Sequence, residues 1–161
     1  LAMLPPAHLT ADGFAELAPG NRWDFGGIGK GMAADLAGEI LRSHGCPHFQ
    51  VDCSGDLLVG ETIKSDSNWS IATEIEGVSI PVPSNHAVAC SGDLHQFLIH
   101  EGNRYSHIMD PRTGKFVLNQ NLIFVIAPTA TQADAWATAL SVENELLRPK
   151  DIHTVQYPFP E

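Results

Sequence analysis

Gly26-Gly27-Ile28-Gly29-Lys30-Gly31 crowds four glycines and a lysine directly ahead of a long amphipathic segment. Glycine admits close backbone approach to a ligand. A glycine-rich turn feeding a helix N-terminus presents free N–H groups and the positive dipole end, which suits phosphate. Lys30 adds a full charge at the same point. The spacing fits neither G-x-G-x-x-G nor G-x-x-x-x-G-K-[ST], so a tightly packed strand-to-helix turn is the competing reading. A second group of polar atoms lies in Ala133-Asp134-Ala135-Trp136-Ala137-Thr138-Ala139. Asp134 and Thr138 are four residues apart, so on a helix their oxygens share one stripe. Thr129 with Gln132 three residues on forms a capping box. Asp134 is therefore not needed as a cap, and an acid among alanines is a candidate ligand.

The chain has 161 residues, enough for one domain with a real core. Its formal charge of −10 argues against a nucleic-acid partner, because no basic patch is present to displace counterions. An acidic protein that handles phosphates needs a cation, and a divalent metal is expected. Cys46, Cys53 and Cys90 match no zinc spacing and cannot all pair; small buried hydrophobes are their expected role. No apolar run is long enough to suggest a membrane helix, and no secretory signal opens the chain. Leu1-Ala2-Met3-Leu4-Pro5-Pro6 does not read as a natural initiation, so the chain is expected to begin inside a longer protein.

The elements that must position these groups follow from periodicity. Residues 1–22 are rich in Pro, Ala and Gly and read as an irregular lead-in to residues 23–161. Trp23-Asp24-Phe25 is a short strand candidate. From Ile28 to His44, Ile28, Met32, Leu36 and Ile40, with Ala33, Ala37 and Leu41, predict one apolar helix face, stopped by Gly45. Alternation predicts a strand through Phe49, Val51 and Cys53, resumed at Leu57-Leu58-Val59. Further strands are expected over Trp69 to Ile75, Val78 to Val82 and Ala87 to Cys90. Phe97 to His100 pairs with Arg104 to Met109 across Glu101-Gly102-Asn103. Asp110-Pro111-Arg112-Thr113-Gly114 is a turn by composition. Leu122 to Ala127 reads as a strand buried on both faces, and His153 to Tyr157 as the last strand. Val51-Asp52-Cys53-Ser54-Gly55-Asp56-Leu57 and Val88-Ala89-Cys90-Ser91-Gly92-Asp93-Leu94 nearly repeat. Either one turn chemistry arises twice, or a structural repeat sets two aspartates at strand ends near one cleft.

The glycine-rich turn, then Ser91-Gly92-Asp93, then Ser106-His107-Ile108-Met109-Asp110-Pro111-Arg112-Thr113-Gly114, then the Asp134–Thr138 helix stand in an order that resembles the FAD:protein FMN transferase (ApbE) family. The resemblance runs from about Trp23 to the C-terminus. It implies an α+β, T-fold-like domain with an antiparallel sheet and two main helices. It also implies an activity: FAD is split with a divalent metal, magnesium or alternatively manganese. FMN is then attached through a phosphoester to a Thr or Ser of a target protein, and AMP is released. On this resemblance the metal is held by Asp134, Thr138 and the backbone carbonyl of Gly29, where the family usually has alanine. His107 is the candidate base for the acceptor hydroxyl, since imidazole changes charge near neutral pH; the alternative is a strand histidine beside a turn. Asp110 joins it as a candidate, orienting the loop or ligand or capping the Pro111 turn. Gly27, Lys30, Asp56, Ser91, Gly92, Asp93, Ser106, Ile108 and Arg112, with His107, match positions at the FAD site.

The implied partner is an electron-transport subunit carrying a D-x-x-[ST]-G-A-T type motif. The implied location is the bacterial periplasm, at the inner membrane through an N-terminus outside this chain, with the cytoplasm left open. Oligomeric state has no signature in the sequence. Two other functions stand beside transfer: an FAD pyrophosphatase whose acceptor is water, and a flavin- or nucleotide-binding module without turnover. Family members are much longer, and the part ahead of Trp23 is expected to lack their flavin-enclosing segment.

Overall fold

A computed structural model describes residues 8–20, 22–64, 67–94, 96–117 and 121–159. In chain order the elements are β1 (His8–Leu9), β2 (Ala15–Glu16), α1 (Gly29–Ser43), β3 (Gln50–Cys53), β4 (Asp56–Val59), β5 (Trp69–Ala72) and β6 (Ser79–Val82). There follow β7 (Ala87–Ser91), β8 (Phe97–His100), β9 (Asn103–Ser106), β10 (Met109–Asp110), β11 (Lys115–Phe116), β12 (Asn121–Ala127), α2 (Ala130–Val142) and β13 (His153–Pro158). Five strands form the central sheet in the order β13-β12-β7-β4-β3, every neighbouring pair antiparallel. Both main helices pack on one face of it, and this is the α+β architecture the sequence implies.

Strand alternation sorts the sheet's side chains into two cores. Ile123, Val125 and Ala127 of β12, Ala87 and Ala89 of β7 and Leu58 of β4 point to the helices. There they meet Ala34 of α1 and Ala130, Ala133, Ala137 and Leu140 of α2. Leu122, Phe124, Ile126, Val88 and Val59 point the other way, against Ile71, Ile80 and Val82 of the β5–β6 hairpin. β12 is therefore buried on both faces, as its unbroken apolar run requires. Each large aliphatic side chain buried this way contributes about 1.5–3 kcal/mol, whereas an exposed ion pair contributes about 0–1. The two covered faces, not the surface charges, hold the sheet.

Helix α1 ends at a Schellman turn: Gly45, at φ 75°, donates to Arg42 O over 3.0 Å, and Cys46 donates to Leu41 O over 3.0 Å. The face it buries is not the expected one. Met32, Leu36 and Ile40 are more than half exposed, while Gly31, Ala34 and Gly38 are buried. Periodicity finds an apolar stripe but does not decide which stripe comes closest to a neighbour. Here closeness decides. A Cβ at Gly31 would overlap the Ala130 carbonyl oxygen and lie 2.8 Å from Thr131 Cα, and one at Gly38 would overlap Leu58. The small-residue stripe lets the backbone of α1 meet the backbone of α2 at Gly31 and the Leu58 side chain of β4 at Gly38.

Three further expectations change. Trp23-Asp24-Phe25 is not a strand; Asp24 Oδ1 accepts the Gly26 N–H at 2.8 Å, a local turn that competes with strand pairing. The rings of Trp23 and Phe25 stack at 5.9 Å instead. The strand expected over Arg104 to Met109 breaks at His107, leaving β9 and the short β10, which pairs with β11 around the Pro111 turn. Within residues 1–22, β1 and β2 pair antiparallel, so that stretch is not wholly irregular. Finally, the near-repeated heptads adopt different shapes. Ser54 (φ 59°) and Gly55 (φ 95°) make a tight β3–β4 hairpin turn, whereas Ser91 ends β7 with no partner strand following. Repeated turn chemistry, not a repeated unit, accounts for them.

Two glycines of one helix thus carry opposite expectations. Gly31→Ala should lower the unfolding free energy by about 1–3 kcal/mol through overpacking. Nothing lies within 4 Å of a Cβ built at Gly29, so Gly29→Ala should be neutral or stabilising by up to about 1 kcal/mol. Urea titration of both variants checks the pair; equal effects would contradict the close crossing.

Candidate active site

The glycine-rich turn ends where α1 begins, and α1 carries no side-chain cap on its N-cap residue, Ile28. Its first amides are left for other partners. One of them, Gly31 N–H, donates to Asp134 Oδ2 at 3.0 Å across the helix crossing. Asp134 is 3% exposed, so this carboxylate is committed to the interior and not to solvent. Thr129 caps α2 as the sequence predicts, accepting the Gln132 N–H at 3.2 Å. Asp134 serves as a cap after all, but on the neighbouring helix. Thr138, one turn further along α2, stands against the turn: a Cβ at Gly27 would lie 3.0 Å from its Oγ1. Glycine at position 27 keeps that hydroxyl open to the turn.

Lys30 reaches between two aspartates. Its Nζ hydrogen-bonds Asp56 Oδ2 and lies 3.6 Å from Asp134 Oδ1. Asp56 opens β4 on the helix-facing side of the sheet and is 1% exposed. Burial pulls the Lys30 ammonium down, but the hydrogen bond and charge of Asp56, with Asp134, outweigh it and hold the pKa above its ordinary value. For Asp56 burial wins over the attraction of Lys30, and its pKa is pushed up to about 6. The arrangement fixes a cation at the helix N-terminus of an acidic protein.

Beyond the end of β9, Ser106 Oγ accepts the Ile108 N–H at 3.0 Å, a local turn that ends the strand and turns His107 outward. His107 Nδ1 lies 2.8 Å from the Gln96 carbonyl oxygen. A carbonyl only accepts, so Nδ1 carries the proton and the neutral ring presents a bare Nε2. Asp110 is fully engaged by the turn it opens. Its Oδ1 accepts Arg112 N–H at 2.8 Å and Nε–H at 3.0 Å, and its Oδ2 accepts Nη2–H at 3.1 Å. The Arg112 hydrogen bonds hold the Asp110 carboxyl below its usual range, and Asp110 with Glu143 raises the guanidinium in return. Arg112 Nη1 also donates to Glu143 Oε2 at 3.0 Å, tying the loop to the C-terminal end of α2.

One cleft of about 1520 Å³ gathers most of the residues singled out in the sequence. Gly27 lines it from the turn before α1, Lys30, Asp134 and Thr138 from the helices, Ser91 and Gly92 from the end of β7 and just beyond, and His107, Ile108 and Arg112 from the segment after β9. Others stand behind the wall. Asp56 holds Lys30, Ser106 holds Ile108, and Asp110 holds Arg112. Gly29 is the first residue of α1. Asp93 is 6% exposed; its Oδ2 lies 3.7 Å from Arg104 Nε, and its Oδ1 has no hydrogen-bond partner among the described residues. Sequence reasoning missed Asp35, which accepts the Ala130 and Thr131 N–H groups at 2.8 and 2.9 Å. It also missed Gln96, Arg104 and Glu143. The only signal for Asp35 was its spacing from Gly31, which equals that of Asp134 from Ala130. The cysteines are free; Cys53 and Cys90 are half-buried, and burial, foremost, pushes the Cys90 thiol up to about 12, whereas Cys46 is exposed and not the buried hydrophobe expected.

The raised Asp56 pKa sets a pH dependence. Its ordinary value is 3.8, so between pH 3.8 and about 6 the folded state binds the proton that the unfolded state has lost. This group's contribution to stability is therefore fully present below pH 3.8 and declines as pH rises through about 6. The stability of the parent chain relative to Asp56→Asn should fall across that window and level off above it. Denaturant midpoints at four or five pH values measure it, and a difference that grows with pH would refute the assignment.

The sequence of this chain matches the family model described as the ApbE family over residues 3–149. The match begins ahead of Trp23, earlier than the sequence resemblance does. It is 31% identical over 147 residues to the FAD:protein FMN transferase of Vibrio cholerae, covering 86% of this chain and 44% of that protein. It is 34% identical over 127 residues to the FAD:protein FMN transferase of Escherichia coli K12, covering 74% of this chain and 36% of that protein. The chain thus spans less than half the length of these relatives. The crystal structure of the ApbE protein from Thermotoga maritima superposes with a TM-score of 0.73 at 31% identity, over 84% of this chain and 46% of that one. Two helices on one face of an antiparallel sheet, the shared cleft and the family match lead to one conclusion: the chain belongs to the ApbE family.

Proposed function

We propose that this chain carries the catalytic portion of a metal-dependent flavin transferase, which moves FMN from FAD to a Thr or Ser hydroxyl of a target protein and releases AMP. The observation that carries the reading is the shared cleft. An imidazole with a bare Nε2, a lysine at a helix N-terminus and a buried Asp134 one turn from Thr138 all face one space. The names of the relatives supply the substrate class.

Splitting a pyrophosphate relies on positioning and charge neutralisation more than on covalent help. Lys30, held between Asp56 and Asp134, supplies a charged N–H donor for the phosphates. Arg112, held by Asp110 and Glu143, presents a second cation from the opposite wall. His107 Nε2 takes the proton of the acceptor hydroxyl as its oxygen bonds to the FMN phosphorus. The P–O bond to the AMP phosphate breaks, and AMP leaves with the electron pair. The Gln96 carbonyl stabilises the imidazolium that results, because it still accepts from Nδ1.

Among the described residues no three His, Cys, Asp or Glu side chains are grouped for a metal. The proposed donors are of another kind: one carboxylate, Asp134; one hydroxyl, Thr138; and the Gly29 carbonyl. Hard oxygens in small number suit magnesium or manganese, which draw further oxygens from substrate phosphates and water. The donor set fits on one further ground: Asp134 Oδ1 already faces a cation, Lys30, at 3.6 Å. When bound, the metal neutralises charge developing on the phosphates. The acceptor is proposed to be an electron-transport subunit with a D-x-x-[ST]-G-A-T type motif.

Incubation with FAD, magnesium and a peptide of that type tests the reading by mass spectrometry. A covalent gain of FMN on the peptide supports transfer. Free FMN with AMP makes the acceptor water, and intact FAD at every magnesium concentration would defeat the proposal. His107→Ala should slow transfer by about 10²–10⁴-fold with little change in FAD affinity. Asp134→Ala should remove most turnover at limiting magnesium; unchanged cleavage there would free Asp134 from the metal role.

A further inference from the structure

The α1–α2 crossing is reciprocal. Gly31, in the first turn of α1, donates its N–H to Asp134 of α2 at 3.0 Å. Ala130, in the first turn of α2, donates its N–H to Asp35 of α1 at 2.8 Å. In each helix the acceptor lies four residues after the donor, so each start is capped by an aspartate one turn down the other helix. Asp35 reaches further than a single cap. Its Oδ2 also accepts the Thr131 N–H at 2.9 Å and the Thr131 hydroxyl at 2.6 Å. Thr129, the cap that α2 supplies itself, holds Gln132 N–H alone. Two of the first three amides of α2 are thus fixed by α1.

We infer that Asp35 is a positioning residue that sets where Asp134 stands in the cleft. Asp134 lies one turn beyond the amides Asp35 holds, on the same rigid helix. A carboxylate accepting at a helix N-terminus is stabilised by the dipole and by charge-assisted hydrogen bonds. Asp35 is half-buried and its three bonds to α2 are all within 3.0 Å, which leaves α2 little freedom to slide. Gly31 permits the contact, and Asp35 locks its register. Without Asp35 the polar contacts of the crossing among the described residues reduce to the Gly31–Asp134 bond and the Lys30–Asp134 ion pair, and the Asp134 oxygen aimed at Lys30 is held less firmly in place. Thr138, another turn along, moves with it. Asp35 touches neither substrate nor metal in this account; it acts through the helix.

The metal arm of the test rests on the proposed role of Asp134, and the second arm does not. Two readouts are taken on the full chain, its Asp35→Ala and Asp35→Asn variants, and Asp134→Ala. The first is Mn²⁺ binding in the presence of ADP, followed by paramagnetic resonance. The second is hydrogen exchange at the Gly31 amide, followed by NMR. Asp35→Ala should weaken Mn²⁺ binding by about 10–100-fold, as loss of a supporting partner does, and should speed Gly31 exchange by about tenfold or more. Asp35→Asn, which keeps one acceptor oxygen, should fall between the parent and Asp35→Ala, and covers the case in which the alanine variant does not fold. In a chain that binds Mn²⁺, an unchanged value of either readout in the Asp35 variants, even with a lowered thermal midpoint, reduces Asp35 to a plain cap and overturns the inference. If the parent binds no Mn²⁺, the metal reading fails, and Gly31 exchange alone decides Asp35.

Discussion

Backbone-to-backbone contact between α1 and α2 at Gly31 and Ala130 is the constraint on which the cleft depends. A Cβ on Gly31 would strike the Ala130 carbonyl, so the helices approach more closely there than any side chain at position 31 would permit. That closeness would strand first-turn amides of both helices away from water, at a cost of about 1–3 kcal/mol for each buried donor left unpaired. The exchanged aspartates remove this cost: Asp134 receives Gly31, and Asp35 receives Ala130 and Thr131. Packing and polar satisfaction therefore specify one register between the helices. Because Lys30 precedes Gly31 and Thr138 follows Asp134 by one turn, the same register fixes the cation and the oxygen pair relative to each other. The alanines of α2 and of β7 let that helix lie close to the sheet, so Asp56 on β4 can reach Lys30 from below.

Charge is arranged against the average of the molecule. A chain with net charge −10 repels polyphosphates at long range, although at physiological salt the repulsion decays within about 8 Å. What matters is the sign inside the cleft. Lys30 and Arg112 are each held by two acidic side chains, Lys30 by Asp56 and Asp134 and Arg112 by Asp110 and Glu143. Each cation is immobilised by its acids, and each pair of acids leaves that corner of the cleft without net positive charge. An added divalent cation would reverse the balance beside Asp134. On the proposed function, this would be the electrostatic reason the cleft suits metal-bound phosphate better than free phosphate.

Much of the scaffold was legible in the sequence because local rules and burial agree there. Thr129 caps α2, Gly45 stops α1, and the apolar run of β12 is buried on both faces. The S-H-I-M-D-P-R-T-G segment located a loop that does line the cleft with His107, Ile108 and Arg112. What was not legible depended on contacts distant in sequence. The buried face of α1 was assigned to Met32, Leu36 and Ile40, because hydrophobicity was read without knowing that backbone contact favours Gly31, Ala34 and Gly38. Asp134 was set aside as a cap because only its own helix was considered. Trp23-Asp24-Phe25 looked like a strand until the Asp24 side chain took the Gly26 amide that a ladder would need. The twin S-G-D turns diverge because the first is followed by a pairing strand and the second is not.

Proton control at His107 differs in kind from the helix-centred half of the site. Its imidazole is exposed, and no carboxylate is bonded to it among the described residues; a neutral backbone carbonyl fixes its tautomer. A neutral carbonyl places no charge beside the ring; it fixes the ring's orientation and leaves Nε2 of the neutral tautomer bare. Among the described residues, the His107 side of the cleft is open to water. Choice between a protein hydroxyl and water as acceptor must then come from how the acceptor is held over Nε2, not from the base itself. On the proposed function, the helix half of the cleft would prepare the leaving phosphate through a rigid crossing, while the loop half would offer a base open to either acceptor. Selectivity in such a division of labour rests with the partner that brings its hydroxyl to the loop.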